Sequence, residues 1–203
     1  MDKYDIKVAH KALYSPSAKD FAIVDVPEFQ YIAIDGHGDP NTSPDYAEAL
    51  ESLYSVAYTL KFASKKALER DFVVGPLEGL WRADDMTDFV TRKKSNWDWT
   101  MMITLPEWIT LPMIEKAVEE ASSKKGIPAL DRLRPLTLKE GKAVQIMHHG
   151  PYDDEGPALE RLHTRYLLEN RLVPAGDHHE IYLSDARRTA PAKLKTILRQ
   201  PVR

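Results

Sequence analysis

Two short apolar runs open the patterned part of the chain, residues 21–26 (FAIVDV) and 29–35 (FQYIAID), with Pro27 between them. Both are rich in β-branched and aromatic residues and read as strands. The second ends at Gly36-His37-Gly38-Asp39-Pro40, because Gly and Asp-Pro break a ladder. The period then changes. Tyr46, Leu50, Leu53, Ala57 and Leu60 recur at helical spacing, with Ser43 as a candidate N-cap and Pro44 just inside. Strand-like runs follow at 77–84 (LEGLWRAD) and from Asn96 (NWDWTMMITLP), and a helix is expected at about 112–125 before Gly126. The second half offers strands RPLTL and KAVQIMHHG around a turn at Lys139-Glu140-Gly141, and then a helix over DEGPALERLHTRYLLENRL. It closes with the strands HHEIYLSD and LKTILRQPV.

The two halves share an order: strand, helix, strand, strand. YIAIDGHGDP resembles VQIMHHGPYD, and one fixed offset aligns Glu48 with Glu160, Leu50 with Leu162 and Tyr54 with Tyr166. Further on, LEGLW aligns with HEIYL and sets Glu78 against Glu180. The expected fold is therefore α+β, a single domain over 1–203. It is made of two β-α-β-β repeats, at about 20–105 and about 130–203, joined by the helix at about 110–125. One such unit leaves sheet edges open, and pairing two copies covers them. The helices are expected on one face of an antiparallel sheet and a concave ligand groove on the other.

Strand alternation puts His178, Glu180, Tyr182 and Ser184 on one face of the last-but-one strand, and His179, Ile181 and Leu183 on the other. The aliphatic set suits the helix layer, which assigns Glu180 to the groove. Trp81, Trp97, Trp99 and Trp108 lie in or beside strands, near Tyr31, Tyr152 and Tyr182. Plain core packing accounts for any one such Trp. Together they read as a flat aromatic pocket around one carboxylate. A carboxylate placed there can pair with a cationic ligand, or act as a general base if desolvation raises its pKa. On the surface it would be an ordinary ion-pair partner.

Composition narrows the chemistry. The 203 residues carry a net charge of -3, and the densest basic cluster, Arg92-Lys93-Lys94, reads as a hairpin tip, so no nucleic-acid partner is expected. The acidic runs at 83–88 and 152–156 read as capped turns. Without cysteine, no disulfide, thiolate nucleophile or Cys-based zinc site can form. Neighbours in the pairs His148-His149 and His178-His179 point to opposite strand faces and cannot chelate one ion. One His of each pair could still meet His37 or His163, but no His-x-x-x-His or similar ligand spacing is present, and the expectation is no metal and no cofactor. There is no Gly-x-Ser-x-Gly elbow and no P-loop. With no signal-like or membrane-spanning run, the expectation is a cytoplasmic protein with a small-molecule ligand and no membrane partner, either a monomer or a homodimer.

The segments IDGHGDPN, PLEGLWRADD, NWDWTMMITLPEWIT, AVQIMHHGPYDDEGPALERLH and HHEIYLSDARRTAPAKLKTILRQPV resemble those of stand-alone members of the GyrI-like small-molecule-binding family. These are relatives of the effector-binding domains of multidrug-responsive transcription regulators. The resemblance spans nearly the whole chain after residue 20. It implies an SHS2-like pair of β-α-β-β units with a pocket between them, and a pocket-floor carboxylate at the position of Glu180. Some stand-alone members hydrolyse cyclopropane-bearing, DNA-alkylating natural products. By that resemblance Glu180 would activate water and Tyr152 would donate to the carbonyl, while Trp81, Trp97 and Trp99, with His178 and Tyr182, would line the ligand site. The resemblance equally allows a detoxifying protein that sequesters drugs or metabolites without turnover, or a module acting on a partner such as gyrase.

Overall fold

In the computed structural model, residues 3–84, 93–123 and 126–203 are described. Arg92 of the basic cluster and most of the acidic run at 83–88 lie outside them. The first half contributes β1 (Ala22–His37), β2 (Leu77–Arg82) and β3 (Asp98–Leu105), with α3 (Pro44–Ala67) between β1 and β2. The second contributes β4 (Arg134–His149), β5 (His178–Tyr182) and β6 (Lys195–Pro201). Its helical run is α5 (Gly156–Arg161), a π turn (Leu162–Tyr166) and α6 (Leu167–Glu169). Two one-turn helices, α1 (Ile6–Ala9) and α2 (Lys11–Tyr14), precede β1, and α4 (Leu111–Ser122) links the halves. Each half thus runs strand, helix, strand, strand, as the pattern predicts. No described helix is long and apolar enough to cross a membrane.

All strand pairings are antiparallel, and the order β1-β3-β2-β5-β6-β4 closes on itself as a barrel. Closure removes the open edges that the repeat argument anticipated. The first two predicted strands are one 16-residue strand, and so are the two around Lys139-Glu140-Gly141. Val26 pairs with Gly141 and Glu28 with Lys139, so Pro27 and Glu140 stand at one level of the ladder. Pro27 has no N–H to give, and Gly141 takes a φ of 66° that a glycine adopts at no steric cost. Both features bend the paired strands instead of ending them.

Helix α3 packs along the outside of the barrel. Leu53, Val56, Ala57 and Leu60 are fully buried against Ile32, Ile34, Trp99, Met101 and Ile103. Burial of such side chains contributes about 1.5–3 kcal/mol for each large aliphatic one. Register requires a glycine opposite Trp99, since Gly36 pairs with it and a Cβ there would lie 2.1 Å from the indole.

The strand face turned away from α3 is the inside of the barrel, and it is not purely apolar. Glu78 on β2 accepts hydrogen bonds from Tyr14 (2.9 Å) and Thr104 (2.7 Å) and forms an ion pair with His179 on β5 at 3.0 Å. The other His179 nitrogen meets Glu140 at 3.0 Å, and Arg199 donates to Glu140 (3.0 Å), Gln145 (3.1 Å) and the Leu13 carbonyl (3.0 Å). Two carboxylates and two cations cancel, as burial demands. Burial disfavours the His179 charge, but Glu140 and then Glu78 outweigh it and raise its pKa to about 9. Burial works against Glu140 as well, yet His179 and Arg199 hold it down at about 2.

Candidate functional site

The β2–β5 ladder fixes which side chains share the helix-bearing face. Trp81 pairs with His178, Gly79 with Glu180 and Leu77 with Tyr182, and directly opposite residues point the same way. The expected alternation along β5 is present, with His178, Glu180 and Tyr182 on one face and His179 and Ile181 on the other. The layers are exchanged, however. Glu180 faces the side that carries the helices, while His179 and Ile181 point into the barrel. Closure explains the exchange: the inner face of a small barrel is filled by side chains, so the groove must lie outside. It opens between α3 and the helical run at 156–169, over β2 and β5.

The repeat alignment of Glu78 with Glu180 is corrected by one residue. Glu78 pairs with Ile181 and points inward, whereas Glu180 pairs with Gly79 and points into the groove. A slip of one position exchanges the two faces of a strand.

The groove encloses about 2040 Å³, beyond the usual size of a drug-sized site. Tyr46, Leu50, Tyr54 and Tyr58 form one wall, spaced four residues apart along α3. Trp81, Trp97, Tyr152 and Tyr182 supply the rest of the aromatic lining. Tyr46 stacks on Trp81 at 6.4 Å, Trp97 meets Trp81 edge-on at 5.6 Å, and Tyr152 meets Tyr182 edge-on at 5.5 Å.

Glu180 sits at the floor with a side chain 14% exposed. Tyr182 donates to its Oε2 at 2.7 Å, and Trp81 Nε1 donates to the Tyr182 oxygen at 2.9 Å. His178 Nε2 stands 3.5 Å from Oε1. Gly79 makes room for this chain, because a Cβ there would lie 3.0 Å from Trp81 Nε1. Burial, then the Glu180 charge, pushes the Tyr182 phenol well above its ordinary range. Burial, Glu155 and Glu180 raise Tyr152 to about 12, so its phenol remains a donor.

Six of the seven residues anticipated from sequence therefore border one groove: Glu180, Tyr152, Trp81, Trp97, His178 and Tyr182. Trp99 does not. It is fully buried under Tyr46, edge-on with ring centres 5.3 Å apart, and supports the wall from behind. Sequence reasoning missed Tyr54, Glu155 and His163. The four-residue spacing of Tyr46, Leu50, Tyr54 and Tyr58 was the available signal for the wall. Among the described residues, no three His, Asp or Glu side chains converge as a metal site.

An outward-facing groove between two helix-bearing β-α-β-β halves, aromatic-walled with a carboxylate floor, defines a small-molecule-binding module. The chain belongs to the GyrI-like small molecule binding domain family, whose model matches residues 19–203. No protein of curated function matches it. A Listeria innocua structure described as an uncharacterized conserved protein is similar at 36% identity, with TM-score 0.90, covering 99% of this chain and 100% of that one. Another from Listeria innocua, described as a hydrolase, is 37% identical with TM-score 0.85, covering 99% and 100%. The EcmrR C-terminal domain shares the fold at 13% identity and TM-score 0.57, covering 91% of this chain and 97% of that one.

Proposed function

We propose that this protein binds flat, hydrophobic small molecules in the Glu180 groove and hydrolyses strained, electrophilic cyclopropanoid compounds, disarming them as alkylators. The observation that carries the reading is the Glu180 carboxylate at the floor of an aromatic groove, oriented by Tyr182 and bordered by the protonated Tyr152 phenol. Its similarity to the Listeria innocua protein described as a hydrolase supports the same reaction class.

The aromatic walls hold the planar ligand, and Glu180 takes a proton from a water placed against the three-membered ring. The water oxygen bonds to a ring carbon, the strained C–C bond breaks, and its electron pair moves to the conjugated carbonyl oxygen. Tyr152 donates to that oxygen as charge develops. Positioned acid–base assistance of this kind contributes ~10²–10⁴-fold. Incubation with a cyclopropane-bearing alkylator, followed by mass spectrometry of the small molecule, should give the water-added product with the native protein and none with Glu180→Gln.

A second ligand class rests on the same carboxylate. A lipophilic cation between Trp81, Trp97 and Tyr182 would gain both cation–π contacts and the Glu180 charge. For such a ligand the protein is a sequestering agent, and Glu180→Gln should weaken cations while leaving neutral planar ligands within a few-fold.

A further inference from the structure

A base that takes a proton from water must pass it on, and of the two polar side-chain contacts of Glu180 among the described residues one is a dead end. Tyr182 donates to Oε2 and accepts from Trp81 Nε1, and an indole N–H only donates. That chain orients the carboxylate and offers its proton no exit.

The other contact is His178. Both of its ring nitrogens are buried and make no hydrogen bond among the described residues, although Nε2 lies 3.5 Å from Glu180 Oε1. Buried polar atoms left unpaired cost about 1–3 kcal/mol each, so the position calls for an explanation. A second imidazole borders the same groove. His163 is carried by the π turn Leu162–Tyr166, an irregularity frequent at functional sites, and is partly exposed on the groove wall. Burial, and then the His178 charge, lowers the His163 pKa below 6.5, and both rings line the same groove.

Resting on the hydrolytic reading above, we propose that His178 and His163 form the proton exit of the site, carrying to solvent the proton that Glu180 takes from the attacking water. Glu180 Oε1 passes the proton to His178 Nε2, the proton on His178 Nδ1 leaves to solvent by way of His163, and proton exchange with solvent restores the Nδ1–H tautomer for the next turnover. The oxyanion formed on ring opening takes a proton from Tyr152, which is reprotonated by solvent, so the sum is addition of one water. Among the described residues, the charged and titratable groups that share the groove with His178 include Glu180 and Tyr182 on β5 and the Arg82–Asp177 ion pair at 3.6 Å beside β2. Tyr46 on α3 and Glu155 and Glu160 on the opposite wall line the same groove.

The test combines titration and kinetics on the full chain. In the NMR titration, His178→Gln should move His163 up toward 6.5, because a competing ring is gone. In turnover of a cyclopropane-bearing alkylator, His178→Gln should lower kcat by at least ~10-fold with KM nearly unchanged, and added imidazole should restore part of the rate. His163→Gln, on the partly exposed wall, should lower kcat several-fold and keeps the test available if His178→Gln folds poorly. An unchanged His163 titration, or a His178→Gln variant with raised KM and native kcat, overturns the exit. Native protein that never forms the hydrate overturns the hydrolytic reading and the exit with it. Native turnover that neither variant alters overturns the exit alone.

Discussion

Gly79 and Glu180 face each other across the β2–β5 ladder, and the missing side chain at Gly79 is what the Trp81–Tyr182–Glu180 chain occupies. A Cβ at Gly79 would stand 3.0 Å from Trp81 Nε1 and 3.1 Å from Met101 Sδ. Gly79→Ala should displace the Trp81 indole and break its bond to Tyr182. The expected cost is about 1–3 kcal/mol by urea unfolding, with a larger proportional loss of planar-ligand affinity. An unchanged midpoint and affinity would mean that the pocket tolerates a side chain there.

Tyr182→Phe removes the donor that holds Glu180 Oε2 while keeping the aromatic wall. Affinity for a neutral planar ligand should change less than threefold while kcat falls ~10-fold or more, as expected when a base loses its orientation. Steady-state kinetics that show only a KM effect would make Tyr182 a wall residue alone.

Tyr152 is held at about 12, so it remains a proton donor across the accessible pH range. Tyr152→Phe should cost ~10²-fold in kcat, comparable to removing one oxyanion-stabilising donor. The activity of the native protein should show no alkaline limb from this group below pH 11.

The barrel interior sets a pH window on stability. His179 is raised from 6.5 to about 9, so its contribution is complete below pH 6.5 and is lost as pH rises through 9. Glu140 is lowered from 4.5 to about 2, so its contribution is complete above pH 4.5 and is lost as pH falls through 2. Unfolding midpoints measured against pH should show both limbs. Glu140→Gln should remove the acid limb and, by leaving His179 and Arg199 short of a counter-charge, cost about 3–5 kcal/mol. A Glu140→Gln protein as stable as the native one would show that the network is dispensable.

Local pattern carried much of this fold. The four- and three-residue spacing of Leu53, Ala57 and Leu60 marked the buried stripe of α3, and alternation correctly separated Glu180 from His179. Alternation gives two faces but does not say which lies inside, since that depends on a closure formed by pairings far apart in sequence. For the same reason Glu78 and Glu180 looked equivalent, although a one-residue offset in the ladder sends them to opposite faces. The Pro27 and Gly141 signals were real but marked bends, because long paired strands absorb one missing N–H. Helices α1 and α2, of one turn each, carry no periodicity to detect, yet their side chains and carbonyls complete the interior network through Tyr14, Ala12 and Leu13.

The central claim, that Glu180 activates water on a ligand held in the groove, is tested most directly by isotope incorporation. Purified protein would be given excess cyclopropane-bearing alkylator in oxygen-18 water, and the small molecule analysed by mass spectrometry over time. The account predicts many equivalents of ring-opened hydrate carrying oxygen-18, and none above the uncatalysed rate with Glu180→Gln. Equal hydrate from both proteins, or intact alkylator recovered in stoichiometric complex with the native one, would contradict it.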